Sequence, residues 1–166
     1  MSSIVEAKSA HSMIKLALSG EKHQTRKPSV SEWFAQYDQI RRDAEMSLGE
    51  KLQSRGVVEK GMNPGAKSEK KNGALATHLI SKYETAVSAM KKLPVLPETR
   101  ELQEGYTQYF IKMQQVFVEC HKMHKAPATK QSLLLEKKKL EDLDKKNKKL
   151  DDDLRKKYGI PKHKHS

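Results

Sequence analysis

The sequence predicts an all-α protein, a helical bundle of about four helices with a long, charged C-terminal helix. Three observations predict it. Apolar residues recur at spacings of three and four along nearly the whole chain, without the sustained alternation of a half-buried strand. Eight of the nine aromatic residues (Trp33, Phe34, Tyr37, Tyr83, Tyr106, Tyr109, Phe110 and Phe117) fall on three of these segments, and one shared core is the cheapest way to bury them. The last quarter instead carries leucines seven apart, set among acid–base pairs.

The first predicted helix spans Ser3–Ser19. Ser3 and Glu6 have capping-box spacing, Gly20 supplies a stop, and Ile4, Ala7, His11, Ile14 and Leu18 share one face. Its charge is too balanced and its face too modest for a membrane-surface helix, so it is expected to be a bundle member. After a polar link ending in Arg26-Lys27-Pro28, a second helix is predicted from Ser29 or Ser31 to Ser54, with Gly56 as its stop. Its stripe is Trp33, Phe34, Tyr37, Ile40, Ala44, Leu48 and Leu52. Gly49 lowers helix propensity by about 1 kcal/mol relative to Ala and marks a point where this helix bends or frays.

Residues 55–73 contain Pro64, Lys67, Lys70, Lys71 and four glycines, and are expected to be a flexible basic linker. A third helix is predicted over Ala74–Leu93 and a fourth over Glu98–His124. The Pro94-Val95-Leu96-Pro97 link between them implies an antiparallel hairpin. The fifth, Thr129–Lys157, follows Pro127 and stops at Tyr158-Gly159-Ile160-Pro161. The chain thus divides into a bundle over residues 1–128, a coiled-coil-like helix over 129–158 and a polar tail over 159–166.

Leu133, Leu140, Asn147 and Leu154 are seven apart, and Leu143 and Leu150 sit three residues after Leu140 and Asn147. This is an a/d seam with Asn147 at an a position, where a polar residue restricts register and oligomer state. Two readings stay open. The seam packs on the chain's own bundle, or it meets a partner helix, in a homodimer or on another protein. Six acid-before-base pairs at i,i+4 (Glu141/Lys145, Asp142/Lys146, Asp144/Lys148, Asp151/Arg155, Asp152/Lys156 and Asp153/Lys157) are expected to support this helix by about 0.2–0.5 kcal/mol each.

The net charge is +12, of which residues 125–166 carry +7 (14 Lys and Arg against 7 Asp and Glu) and residues 55–73 carry +3 (5 against 2). An anionic partner would therefore meet the linker and the C-terminal segment. The candidate contacts are Lys137, Lys138, Lys139, Lys145, Lys146, Lys148, Lys149, Arg155, Lys156 and Lys157. With a single arginine and only Tyr158 available for stacking, they suit sequence-independent binding to phosphate backbones and not base reading.

Enzyme and cofactor motifs are missing. Cys120, His121 and His124 share helical turns, but a metal site would need a further ligand, His78 being the candidate. There is no Cys-x-x-Cys, His-Glu-x-x-His or Glu-x-x-His, so no metal is expected. Gly56 and Gly61 have phosphate-loop spacing, yet Met62 stands where lysine is required. Cys120 lies in an apolar stripe without a neighbouring base and reads as an inert thiol. Lys162-His163-Lys164-His165 reads as a polar terminus. One cysteine excludes an intramolecular disulfide, and neither a leader nor a membrane span is apparent, so a cytoplasmic location is expected. The function expected from sequence is a non-enzymatic interaction or assembly protein using the leucine seam. The alternative is a nonspecific nucleic-acid-associated protein using the linker and C-terminal lysines.

Overall fold

The computed structural model describes residues 28–61, 69–122 and 130–163, which form five helices with no strand among the described residues. The all-α expectation is met. The first predicted helix, Ser3–Ser19, lies outside the described residues.

Helix α1 (Val30–Ala44) starts on a capping box: the Glu32 N–H donates to Ser29 Oγ at 3.2 Å, and the Ser29 N–H donates to Glu32 Oε2 at 2.6 Å. It buries Trp33, Phe34, Tyr37 and Ala44. It does not continue to Ser54 as its apolar stripe suggests. Glu45 turns to extended backbone, and Ser47 with Glu50 forms a second capping box that starts α2 (Leu48–Gly61). The break lies upstream of Gly49 because the box at Ser47 satisfies the amides of a new N-terminus. The new helix leaves Leu48 and Leu52 74% and 59% exposed, although the continuous stripe would bury both.

Gly56 is not a stop. Residues 55–61 continue α2, and residues 69–73 lie in α3 (Glu69–Lys92), so both flanks of the expected linker are helical. The central part, 62–68, is outside the described residues. Gly159 alone among the described glycines has the positive φ that ends a helix in a left-handed residue.

Helices α3 and α4 (Arg100–Lys122) form the expected antiparallel hairpin. Tyr83 stacks on Phe117 and Phe110 with ring centroids 6.0 and 6.1 Å apart. The buried Gln103 amide donates to the Met90 and Leu93 carbonyls at 2.8 and 3.1 Å, taking up two acceptors at the end of α3. Trp33 Nε1 donates to the Pro94 carbonyl at 3.0 Å and ties α1 to the same corner.

Among the described residues, the fourth place in the bundle belongs to α5 (Lys130–Tyr158). It runs antiparallel to α4, with Lys146 beside Glu101 near the start of α4 and Glu136 facing Lys112 further along it. Helix α5 therefore packs as part of the bundle. Helix α2 packs on α3 and α4 from the side. None of the described helices is long and apolar enough to cross a membrane.

Candidate functional site on the outward face of the C-terminal helix

At about 100° per residue, α5 has two opposed faces. The seam residues point inward. Leu140, Leu150 and Leu154 pack against the aromatic core, Leu143 is half-buried, and Asn147 is 2% exposed. Leu133 lies outside the residues whose side chains are described. Asn147 enters a notch made by Gly105, where a Cβ would overlap its carboxamide oxygen. Of the two readings of the seam, the described part thus realises packing on the chain's own bundle, which consumes the surface that a partner helix would need.

The outward face carries a row of lysines bordered by the exposed carboxylates Glu141, Asp142, Asp152 and Asp153. Lys138, Lys145, Lys149 and Lys156 fall within roughly 40° of one another on the helical wheel and span about 27 Å of helix. All four are exposed, and among the described residues none has an ion-pair partner. Their flanks are partly neutralised: Lys137 lies 3.9 Å from Glu141, Lys139 2.8 Å from Glu136, Lys146 3.1 Å from Glu101 and Lys148 2.7 Å from Asp144. Lys157 lies over the Tyr158 ring at 5.2 Å.

Only two of the six expected i,i+4 pairs form, Asp144 with Lys148 and Asp151 with Arg155 at 2.8 Å. Glu141 turns back to Lys137, Lys146 reaches across to α4, and Asp152 meets Lys162 at 3.4 Å. Lys145 and Lys156 are left without ion-pair partners among the described residues as a result, a feature hidden in the sequence by nominal pairing at the right spacing.

Arg155 is not a polyanion contact. Its side chain is 3% exposed, with the guanidinium 4.6 Å from the Phe34 ring centroid. It donates to Asp151 at 2.8 Å, to both Asp38 carboxylate oxygens, and to the Pro161 carbonyl at 2.6 Å. Arg41 completes the network, bonding Asp151 at 2.7 Å with its guanidinium 4.7 Å from the Tyr106 ring centroid. Two arginines and two aspartates thus join α1 to α5 without net charge.

The segment after α5 docks on this network, so residues 159–163 are not a frayed polar tail. Gly159 has φ 65°, and the Ile160 N–H donates to the Arg155 carbonyl at 2.9 Å, the closing bond of a Schellman turn. Ile160 packs on the core, and His163 Nδ1 stands 3.3 Å from Asp38 with its side chain 4% exposed.

The histidine–cysteine constellation does not assemble among the described residues, none of which form a group able to hold a metal ion. His78 bonds Glu50 at 2.9 Å, His121 is exposed, and His124 is outside the described residues. Burial pushes the Cys120 thiol up, away from the reactive thiolate.

No protein-family model, curated protein or solved structure matches this chain.

Proposed function

We propose that the protein is a non-enzymatic binder of phosphate backbones, with nucleic acid as its partner and the outward face of α5 as its contact surface. The observation that carries this reading is the row Lys138, Lys145, Lys149 and Lys156, exposed and without ion-pair partners among the described residues. An unpaired lysine releases the counterion of the phosphate it meets, whereas a paired one must first give up its carboxylate. Lysines without arginine forks or exposed aromatics favour binding that is indifferent to sequence. The row also excludes Arg155, which serves the fold. The reading takes the protein as cytoplasmic, in line with its single, buried cysteine.

Self-association through the leucine seam has less support, because Leu140, Leu150 and Leu154 are already committed to the core. It would require α5 to leave the bundle and break the Arg155 network.

Binding to a labelled duplex of mixed sequence, measured by fluorescence anisotropy across a salt series, tests the proposal. Four phosphate contacts predict a log–log slope of about −3.6. Lys145→Gln with Lys149→Gln should reduce it to about −1.8, and scrambling the duplex should change little. No binding at low salt, or a slope that ignores the double substitution, would refute the reading.

A further inference from the structure

On the flank of α1 opposite Asp38 and Arg41, an open groove of about 300 Å³ runs between α1 and α3. Its apolar and small lining is Ile40, Ala44, Thr85, Ala86 and Ala89. The charged groups at its rim are engaged, with the Asp43 carboxylate accepting from Gln39 Nε2 at 2.7 Å and Ser81 standing beside them. Lys82 Nζ lies 3.0 Å from Glu50 and from the Glu45 carbonyl, His78 bonds Glu50, and Thr85 Oγ1 donates to the Ser81 carbonyl at 2.9 Å. With the rim satisfied, the remaining groove suits an apolar helix face whose backbone can approach closely over alanines.

We infer that residues 3–19 of this same chain dock as a helix in the groove between α1 and α3. Their stripe of Ile4, Ala7, His11, Ile14 and Leu18 needs a surface to cover, and α5 holds the fourth bundle place. The dimensions agree. The stripe from Ile4 to Leu18 is about 21 Å long as a helix, and the groove follows α3 from His78 to Ala89, about 17 Å. Residues 20–27 can span up to about 27 Å when extended. That is enough to pass from Pro28 at the head of α1 to the groove, which lies about 18–24 Å along that helix. Tethering makes docking intramolecular, which favours this occupant over any free helix of similar sequence.

Hydrogen exchange on the full chain tests the inference. The amides of residues 3–19 should exchange about tenfold or more slowly than the same amides in Ile14→Glu. Thr85→Glu and Ala89→Glu, placed in the groove, should abolish the protection equally. Thr85 is already exposed, so that variant keeps the bundle intact, and unchanged exchange in α4 and α5 verifies it. Protection should be the same at low and at high protein concentration. Fast exchange in the native chain, protection that survives Thr85→Glu, or protection found only at high concentration would each overturn the proposal. The last result would point to a second copy in the groove.

Discussion

A guanidinium that is 3% exposed is stable only while its counter-charges stay in place, and Arg155 binds two aspartates from different helices. Arg155→Met would leave the buried Asp151 and the half-buried Asp38 with Arg41 as the main compensating charge. A loss of about 3–5 kcal/mol is expected in urea denaturation, with partial recovery in Arg155→Met/Asp38→Asn. Gly105 and Asn147 form a second coupled pair. Gly105→Ala should gain about 1 kcal/mol in helix propensity and lose about 1–3 kcal/mol to overpacking against Asn147. A net destabilisation that Asn147→Ala relieves is the expected double-mutant result. Asn147 was legible in the sequence as the polar member of a leucine seam. Its partner was not, because a heptad pattern is the same whether the seam faces its own bundle or another chain. The discriminating residue is Gly105, a gap in the otherwise bulky stripe of α4. Arg155 was visible as half of an i,i+4 pair, but its burial comes from α1, more than a hundred residues earlier.

The division between α1 and α2 depends on Ser47 and Glu50. Ser47→Ala removes one cap and should cost about 1 kcal/mol, whereas Gly49→Ala should stabilise α2. Burial alone would raise the Glu50 carboxyl, but hydrogen bonds from Lys82, from the Ser47 N–H and from His78 bring it to about 2, below its ordinary 4.5. Since the folded value lies below the unfolded one, the Glu50 contribution is present above pH 4.5 and is lost as pH falls toward 2. Acid titration of stability should show this loss in the native protein and a shallower limb in Glu50→Gln. Ser47-Leu48-Gly49-Glu50 has the same spacing as the box at Ser29. The apolar stripe ran through it without interruption, so periodicity hid a boundary that capping chemistry sets. The α3–α4 hairpin was legible because its prolines and its aromatic stripes point to one topology.

For the whole molecule, packing the seam inward predicts a monomer. Sedimentation should give a single species near 18.9 kDa that does not change with salt, and a stable dimer would contradict the packing of α5. Composition located the positive charge correctly but not its availability. Which lysines remain free is decided by cross-helix pairs such as Lys146 with Glu101, and these exist only after α4 and α5 have met. The same packing turns a feature that resembles an extended arm into the closing side of the bundle.

That closure also sets an order of events on the ribosome. The α3–α4 hairpin needs partners only a few dozen residues apart and can form while the chain is still growing. Asp38 emerges early, yet Arg155 follows 117 residues later, about 6–23 s at ordinary elongation rates. During that interval the aromatic face of α1 has only part of its final covering. A chaperone that holds nascent chains should therefore engage Trp33, Phe34 and Tyr37, and release them once the codons for α5 have been read.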